Sequence, residues 1–268
     1  GFDELDGYKY NVALPAPALY GQFNNLENID YVLTGLKKMG FDSVTEVSRG
    51  AELISSATRN MLESGVLTKP VISSACPAVL RLIRTRFPNL IKNLIPLYTP
   101  VDLAAKMARD EVKKETGLSD EEIGVFFISP CPAKRTATRH PLCYESNGIN
   151  GVIAIKDIYP LLVQAMDKLR PDELEPLNNS GIIGVSWASS GGEAAGLLKE
   201  RYLAADGIEN VINVLEELED EKLNDLDFIE LNCCTGGCVG GVLTVENPYV
   251  AKARIQHLRK FMPVSCNT

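Results

Sequence analysis

Three times in this chain a short apolar run leads, within a few residues, into a cysteine. Residues 71–74, Val-Ile-Ser-Ser, lead into Ala75-Cys76-Pro77. Residues 125–128, Val-Phe-Phe-Ile, lead into Ser129-Pro130-Cys131-Pro132. Residues 228–231, Phe-Ile-Glu-Leu, lead into Asn232-Cys233-Cys234-Thr235-Gly236-Gly237-Cys238. Short apolar runs bounded by turn residues read as buried strands. Parallel strands aim their carboxyl ends at one edge of a sheet, where open α/β folds keep their ligand sites. The pattern therefore asks for a fold that brings three sequence-distant cysteine segments to one crevice. In the last segment, the C-x-x-x-C spacing of Cys234 and Cys238 lets two thiolates converge on one metal centre. The glycines between them permit positive φ and close wrapping of backbone around a bulky inorganic group. Taken alone, that segment also reads as a glycine-rich turn with incidental buried cysteines.

The rest of the chain alternates strand and helix patterns. Strands are expected at 10–14, 43–47, 71–74, 125–128, 151–155, 182–185, 211–215 and 228–231. Helices are expected at 26–39, 51–63, 79–87, 100–116, 157–168, 193–203 and 248–261, with a short one at 89–95. Such alternation predicts an α/β fold of two lobes, with mainly parallel sheets flanked by helices and a cofactor in the cleft between them. The expected division is residues 1–118 for a first lobe, 119–247 for a second, and 248–268 for a C-terminal helix and tail. No internal repeat or low-complexity tract interrupts this order.

Seven cysteines in 268 residues, an odd number with no secretion signal, argue against structural disulfides and for a reducing cytosol. In that setting spaced cysteines point to metal or catalysis. A net charge of −8 argues against a nucleic-acid partner. No apolar stretch is long enough to span a bilayer, so no membrane is expected. A chain beginning at Gly1 reads as a processed product or a fragment. Four thiolates suit zinc or an iron–sulfur cluster. Structural zinc uses two close pairs in a small module; here two cysteines stand alone, far apart and each followed by proline, which favours a cluster held between lobes.

The three segments, with Ala133-Lys134 after the second, resemble in order and separation the cluster-binding motifs of iron-iron (FeFe) hydrogenases. The likeness covers almost the whole chain, including 12–18 and 40–53. It implies an H-cluster: a 4Fe-4S cubane joined through one cysteine to a diiron subsite with carbon monoxide, cyanide and a bridging dithiolate. By resemblance Cys76, Cys131 and Cys234 bind the cubane, and Cys238 binds it and bridges to the diiron unit. Lys134 falls on the lysine that donates to a cyanide ligand. Ala16, Pro17, Ala18, Pro77 and Gly237 fall on the cofactor-binding surface. The implied activity is reversible dihydrogen oxidation and proton reduction in an anaerobic cytoplasm, with a ferredoxin-like electron donor.

Several positions depart from the turnover enzymes. The relay cysteine before the first ligand is Ala75, methionine positions near the cluster fall on Ser129 and Asn232, and a glutamine position falls on Val101. The glycine-pair loop at 187–192 matches loosely. These changes resemble the branch regarded as sensory or regulatory, with slow turnover and a signalling domain in sequence beyond this chain. The alternative is an iron–sulfur binding or electron-transfer protein carrying only a 4Fe-4S cluster.

Other candidates have plainer readings. Cys143, Cys233 and Cys266 are spare. His140 and His257, the two histidines, read as surface or structural. Glu52 and Glu193 read as capping or solvated carboxylates rather than proton carriers. Trp187 reads as a shield for the cofactor or as a core anchor.

Overall fold

A computed structural model describes residues 2–141 and 148–266; Cys143 lies outside the described residues. Two parallel sheets carry the fold. The first has strand order β2-β1-β4-β5, built from β1 (Tyr10–Pro15), β2 (Ser43–Val44), β4 (Ile123–Ser129) and β5 (Gly151–Ala154). The second has order β3-β7-β6, from β3 (Val71–Ile72), β6 (Tyr202–Asp206) and β7 (Phe228–Asn232). Residues 1–118 and 119–247 each contribute strands to both sheets, so a cut at 118 does not separate them.

Both faces of each sheet are covered, which is why the strands read as continuous apolar runs. In β4 every residue is buried. Its Phe126 and Ile128 face one core with Ala13, Ile153 and helices α1 (Asp30–Lys38) and α6 (Ile155–Asp167). Its alternate residues Ile123, Val125 and Phe127 face another core with Val12, Leu14 and α4 (Pro100–Thr116). The second sheet alternates likewise. Ile72, Ile229 and Leu231 face α3 (Pro77–Arg86) and α9 (Ile208–Glu219), whereas Val71 and Phe228 face Leu62 of α2 (Val47–Ser64) and Ala194. The C-terminal helix α10 (Pro248–Leu258) sends Ala251, Ile255 and Leu258 into the first core.

Three expected elements between 182 and 215 are corrected. Residues 182–185 are not a strand but the start of α7 (Ile182–Ser186), whose first amides, Ile182 N and Ile183 N, donate to Pro263 O and Val264 O of the tail. The helix expected over 193–203 is only α8 (Gly192–Gly196); Leu198 leaves it with φ of 54° and the chain becomes β6. Residues 211–215 lie inside α9, where Val211, Leu215 and Leu218 recur at helical spacing on the buried face.

Candidate metal centre

Four strands hand their carboxyl ends to one cavity of about 100 Å³. After β1 come Ala16, Pro17 and Ala18; after β3, Ala75, Cys76 and Pro77; after β4, Pro130, Cys131 and, one helical turn on, Lys134; after β7, Asn232, Cys233, Cys234, Gly237 and Cys238. The four expected cysteine ligands, Lys134 and the five residues expected on the cofactor-binding surface all line this one space. Val101, Phe127, Trp187, Glu193 and Glu230 complete the wall.

The Cys-Pro pairs explain two of the corners. A residue before proline is pushed to extended backbone, and proline is at home in the first turn of a helix. Cys76 and Cys131 are accordingly extended N-cap residues of α3 and α5 (Pro132–Arg139). Cys131 is further held by Ser129, whose hydroxyl accepts from Cys131 N and donates to Cys131 O, each at 3.1 Å. Ser129 thus steadies the ligand loop instead of lining the cavity. Burial pushes the Cys131 thiol up, while the amides of Lys134 and Ala133 act against the rise.

The third corner is stitched to its neighbours. Ser190 N donates to Gly236 O at 2.9 Å, Val239 N to Ala188 O at 2.9 Å, and Leu243 N to Pro130 O at 3.1 Å. A Cβ on Gly237 would meet Ser190 N at 2.3 Å, and one on Gly241 would meet Pro130 O at 2.3 Å. These two glycines are required by approach of protein backbone, in addition to whatever the cavity holds.

The thiols share one electrostatic environment. Burial, then the charges of Cys131, Cys233 and Cys76, push Cys234 up to about 12. Burial, then Cys76 and Cys131, push Cys238 up strongly, with Lys134 opposing. Cys238 nevertheless has accessible surface; a desolvated yet accessible thiol is one whose open face looks into an enclosed cavity. Among the described residues, no three His, Cys, Asp or Glu side chains are grouped so as to hold a single metal ion.

Lys134 is half-buried, and its Nζ donates to Thr99 Oγ1 at 3.5 Å; Thr99 in turn donates to Asp102 at 2.6 Å. Trp187 lines the cavity while its Nε1 donates to Ser55 at 3.0 Å. Glu193 and Glu230 are 6% and 3% exposed, so Glu193 is not the solvated carboxylate the sequence suggested. Ser73 Oγ lies 2.6 Å from Glu193. Glu230 accepts from Gly191 N, Ala194 N and Asn232 Nδ2 at 3.0, 2.9 and 2.7 Å. Burial and the charge of Glu230 push Glu193 well above the usual carboxylate range. Burial raises Glu230 too, against the hydrogen bonds it accepts. The two carboxylates titrate as a pair in which burial favours one retained proton, and Glu193 is the more strongly raised. Sequence reasoning passed over Glu230, although an acidic residue in the apolar run Phe-Ile-Glu-Leu was the available signal. Glu52, also buried, accepts from Gly181 N, Ser265 Oγ and Cys266 N, and serves to anchor the tail. His140 and His257 are exposed, and neither lines the cavity.

A family model described as the iron only hydrogenase large subunit, C-terminal domain, matches residues 9–202 and 196–242. Iron hydrogenase 1 of Clostridium pasteurianum is 21% identical over 87% of this chain and 50% of its own length. The human nuclear prelamin A recognition factor is also 21% identical, over 68% of this chain and 49% of its own. The chain thus spans about half the length of these curated relatives. An [FeFe]-hydrogenase structure concerned with oxygen inactivation of the H cluster superimposes with a TM-score of 0.72 at 15% identity, covering 92% of this chain and 84% of the other. A variant of HydA1 from Chlamydomonas reinhardtii gives 0.69 at 16% identity, with the same coverage. These likenesses show a shared fold. The chain belongs to the family of the iron only hydrogenase large subunit, C-terminal domain.

Proposed function

We propose that the cavity holds an H-cluster and that this domain handles dihydrogen slowly, as a sensor or regulator rather than a turnover enzyme. The observation that carries this reading is the convergence of Cys76, Cys131, Cys234 and Cys238, from three strand ends, on a space that Lys134 also lines. The donor set fits. A single zinc ion needs thiolates within about 4 Å of one another, whereas these thiols ring a space, as a polynuclear cluster requires. Cys76, Cys131 and Cys234 would hold the cubane, with Cys238 shared between it and the diiron unit. When bound, such a cofactor would supply the redox-active metal centre and the adjacent base that dihydrogen chemistry needs.

The chain's own residues supply the rest. Lys134 presents an ammonium to the cavity and offsets the charge of an anionic ligand, oriented by Thr99 and Asp102 behind it. Ala16, Pro17, Ala18, Pro77, Val101 and Phe127 keep water from that side of the wall. Ala75 offers neither proton donor nor acceptor. Glu193 does: it holds a proton at the wall, beside Ser73, while Glu230 keeps the charge that favours it there. The slow turnover in this reading rests on Ala75, whose methyl group interrupts proton relay at the corner of the first ligand. A ferredoxin-like donor and a signalling domain are the partners this reading implies, with dihydrogen and protons as substrates.

A second reading, an iron–sulfur protein without hydrogen chemistry, is favoured by the methyl group at position 75 and by a relative named for prelamin A recognition. Infrared spectroscopy after maturation separates the two. Bands of iron-bound carbon monoxide and cyanide are expected. A filled cubane without those bands selects the second reading, and protein that takes up no iron–sulfur cluster overturns both.

A further inference from the structure

We propose that Cys233 is a reserve ligand, placed to take over the cubane corner assigned to Cys234. The inference rests on the cluster-binding reading above and deepens it. Five cysteines line the cavity, and a cubane uses four. Cys233 and Cys234 are adjacent in sequence, and adjacent residues of a strand point to opposite faces. Here the strand stops first: the ladder ends where Asn232 pairs with Asp206, and the chain bends at 233 and 234. That bend brings both residues to the wall of the same space.

The local backbone permits the exchange. Gly207 N pins Asn232 O at 3.0 Å and Ser190 N pins Gly236 O at 2.9 Å, with residues 233–235 between the pins. Just past the second anchor, Gly237 N closes a turn back onto Cys234 O at 3.1 Å. A small rotation of this turn would exchange one sulfur for the other while both anchors hold. The Cys233 side chain lines the cavity beside Cys76 and Cys131, and like Cys76 it also packs in part against the core of the second sheet. In the exchange, the iron bond to the Cys234 sulfur breaks and one to the Cys233 sulfur forms. The proton of the Cys233 thiol passes by way of water to the released Cys234 thiolate, and no electron is transferred.

The test uses Cys233→Ala, Cys234→Ala, the double variant and Cys76→Ala, each reconstituted anaerobically with iron and sulfide. Iron per chain is counted, and the reduced cluster is read by electron paramagnetic resonance. Cys233→Ala should match the parent in both. Cys234→Ala should keep at least about half of the parent's iron, with a shifted signal, because Cys233 offers a thiol at the same bend of the chain and not at the Cys76 corner. The double variant should fall to the level of Cys76→Ala. Iron in Cys234→Ala as low as in Cys76→Ala overturns the proposal, as does equal iron in Cys234→Ala and the double variant. If Cys234→Ala does not fold, Cys234→Ser is alkylated in the loaded state. Protection of Cys233 there, against its modification in the parent, supports the reserve role, and modification in both overturns it. A parent that binds no cluster, or Cys76→Ala that binds as the parent does, defeats the ligand assignment itself and is distinguishable from failure of the reserve role.

Discussion

Replacing Glu193 with glutamine should change how stability depends on pH. Burial and the charge of Glu230 push the Glu193 carboxyl well above its usual range, so the folded chain keeps a proton that the unfolded chain releases. Between the ordinary carboxylate value and the folded-state value, the native state binds one proton more. Stability then falls as pH rises, by about 1.4 kcal/mol per pH unit. The contribution is complete below the ordinary carboxylate value and is lost as pH rises through the folded-state value. Glutamine removes the titration but keeps a group of the same shape beside Ser73 Oγ, 2.6 Å away. Variant stability relative to the parent should therefore climb by about 1.4 kcal/mol per pH unit across that window and flatten above it. Glu230→Gln should instead lower stability outright, through lost hydrogen bonds. It replaces the carboxylate that accepts from two backbone amides and Asn232, and hydrogen bonds to a charged group contribute about 1.5–3 kcal/mol each. Urea unfolding of the cluster-free protein, followed by circular dichroism between about pH 5 and 8, reads both. Parallel curves for parent and Glu193→Gln would refute the shared-proton account.

Three further outcomes follow from the same geometry. Gly241→Ala forces a Cβ to 2.3 Å from Pro130 O and should lower unfolding stability by about 1–3 kcal/mol in urea, with no effect expected if the loop simply shifts away. Lys134→Ala should leave iron–sulfur content intact and weaken capture of the diiron unit; carbon monoxide and cyanide bands of parental intensity would contradict its role. Ala75→Cys adds a titratable group to the wall and should raise hydrogen evolution per diiron unit at constant cluster content, whereas fast evolution by the unmodified protein would show that no such group is missing.

Much of the site was legible because it is written in local chemistry. A cysteine before proline fixes both its own extended backbone and the helix that follows, so Cys76 and Cys131 could be placed from two residues each. The run ending at Ile128 and the helix Pro100–Thr116, closed by Gly117, were equally plain. The stretch 182–215 was not. Four apolar residues at 182–185 carry no period, and their helical state depends on hydrogen bonds to a tail some eighty residues away in sequence. The strand β6 contains Ala204 and Ala205, poor strand formers, and exists because β7 offers a ladder. Glu193, on α8, was undervalued because its surroundings come from Ser73 just past β3 and Glu230 in the middle of β7, which cannot be read from its neighbours in sequence. Val211, Leu215 and Leu218 carry a helical period that shows only over a stretch reaching Leu218, beyond the apolar run at 211–215.

The order in which the strands join the sheets bears on how the chain is made. Translation releases β1, β2 and then β4 early enough for the first sheet to close while the ribosome is still at work. For the second sheet the central strand comes last: β3 finds its ladder only in β7, through Val71–Phe228 and Ile72–Ile229, and β6 pairs with the same strand. Until residue 228 emerges, β3 and the Cys76 loop that follows it have no sheet to rest on. Three of the cysteines assigned to the cluster are then fixed together, at nearly the same moment, by the arrival of one segment. A nascent chain therefore reaches its metal-competent form only once residue 228 has emerged, and an insertion machinery acting before that point would meet a half-built site.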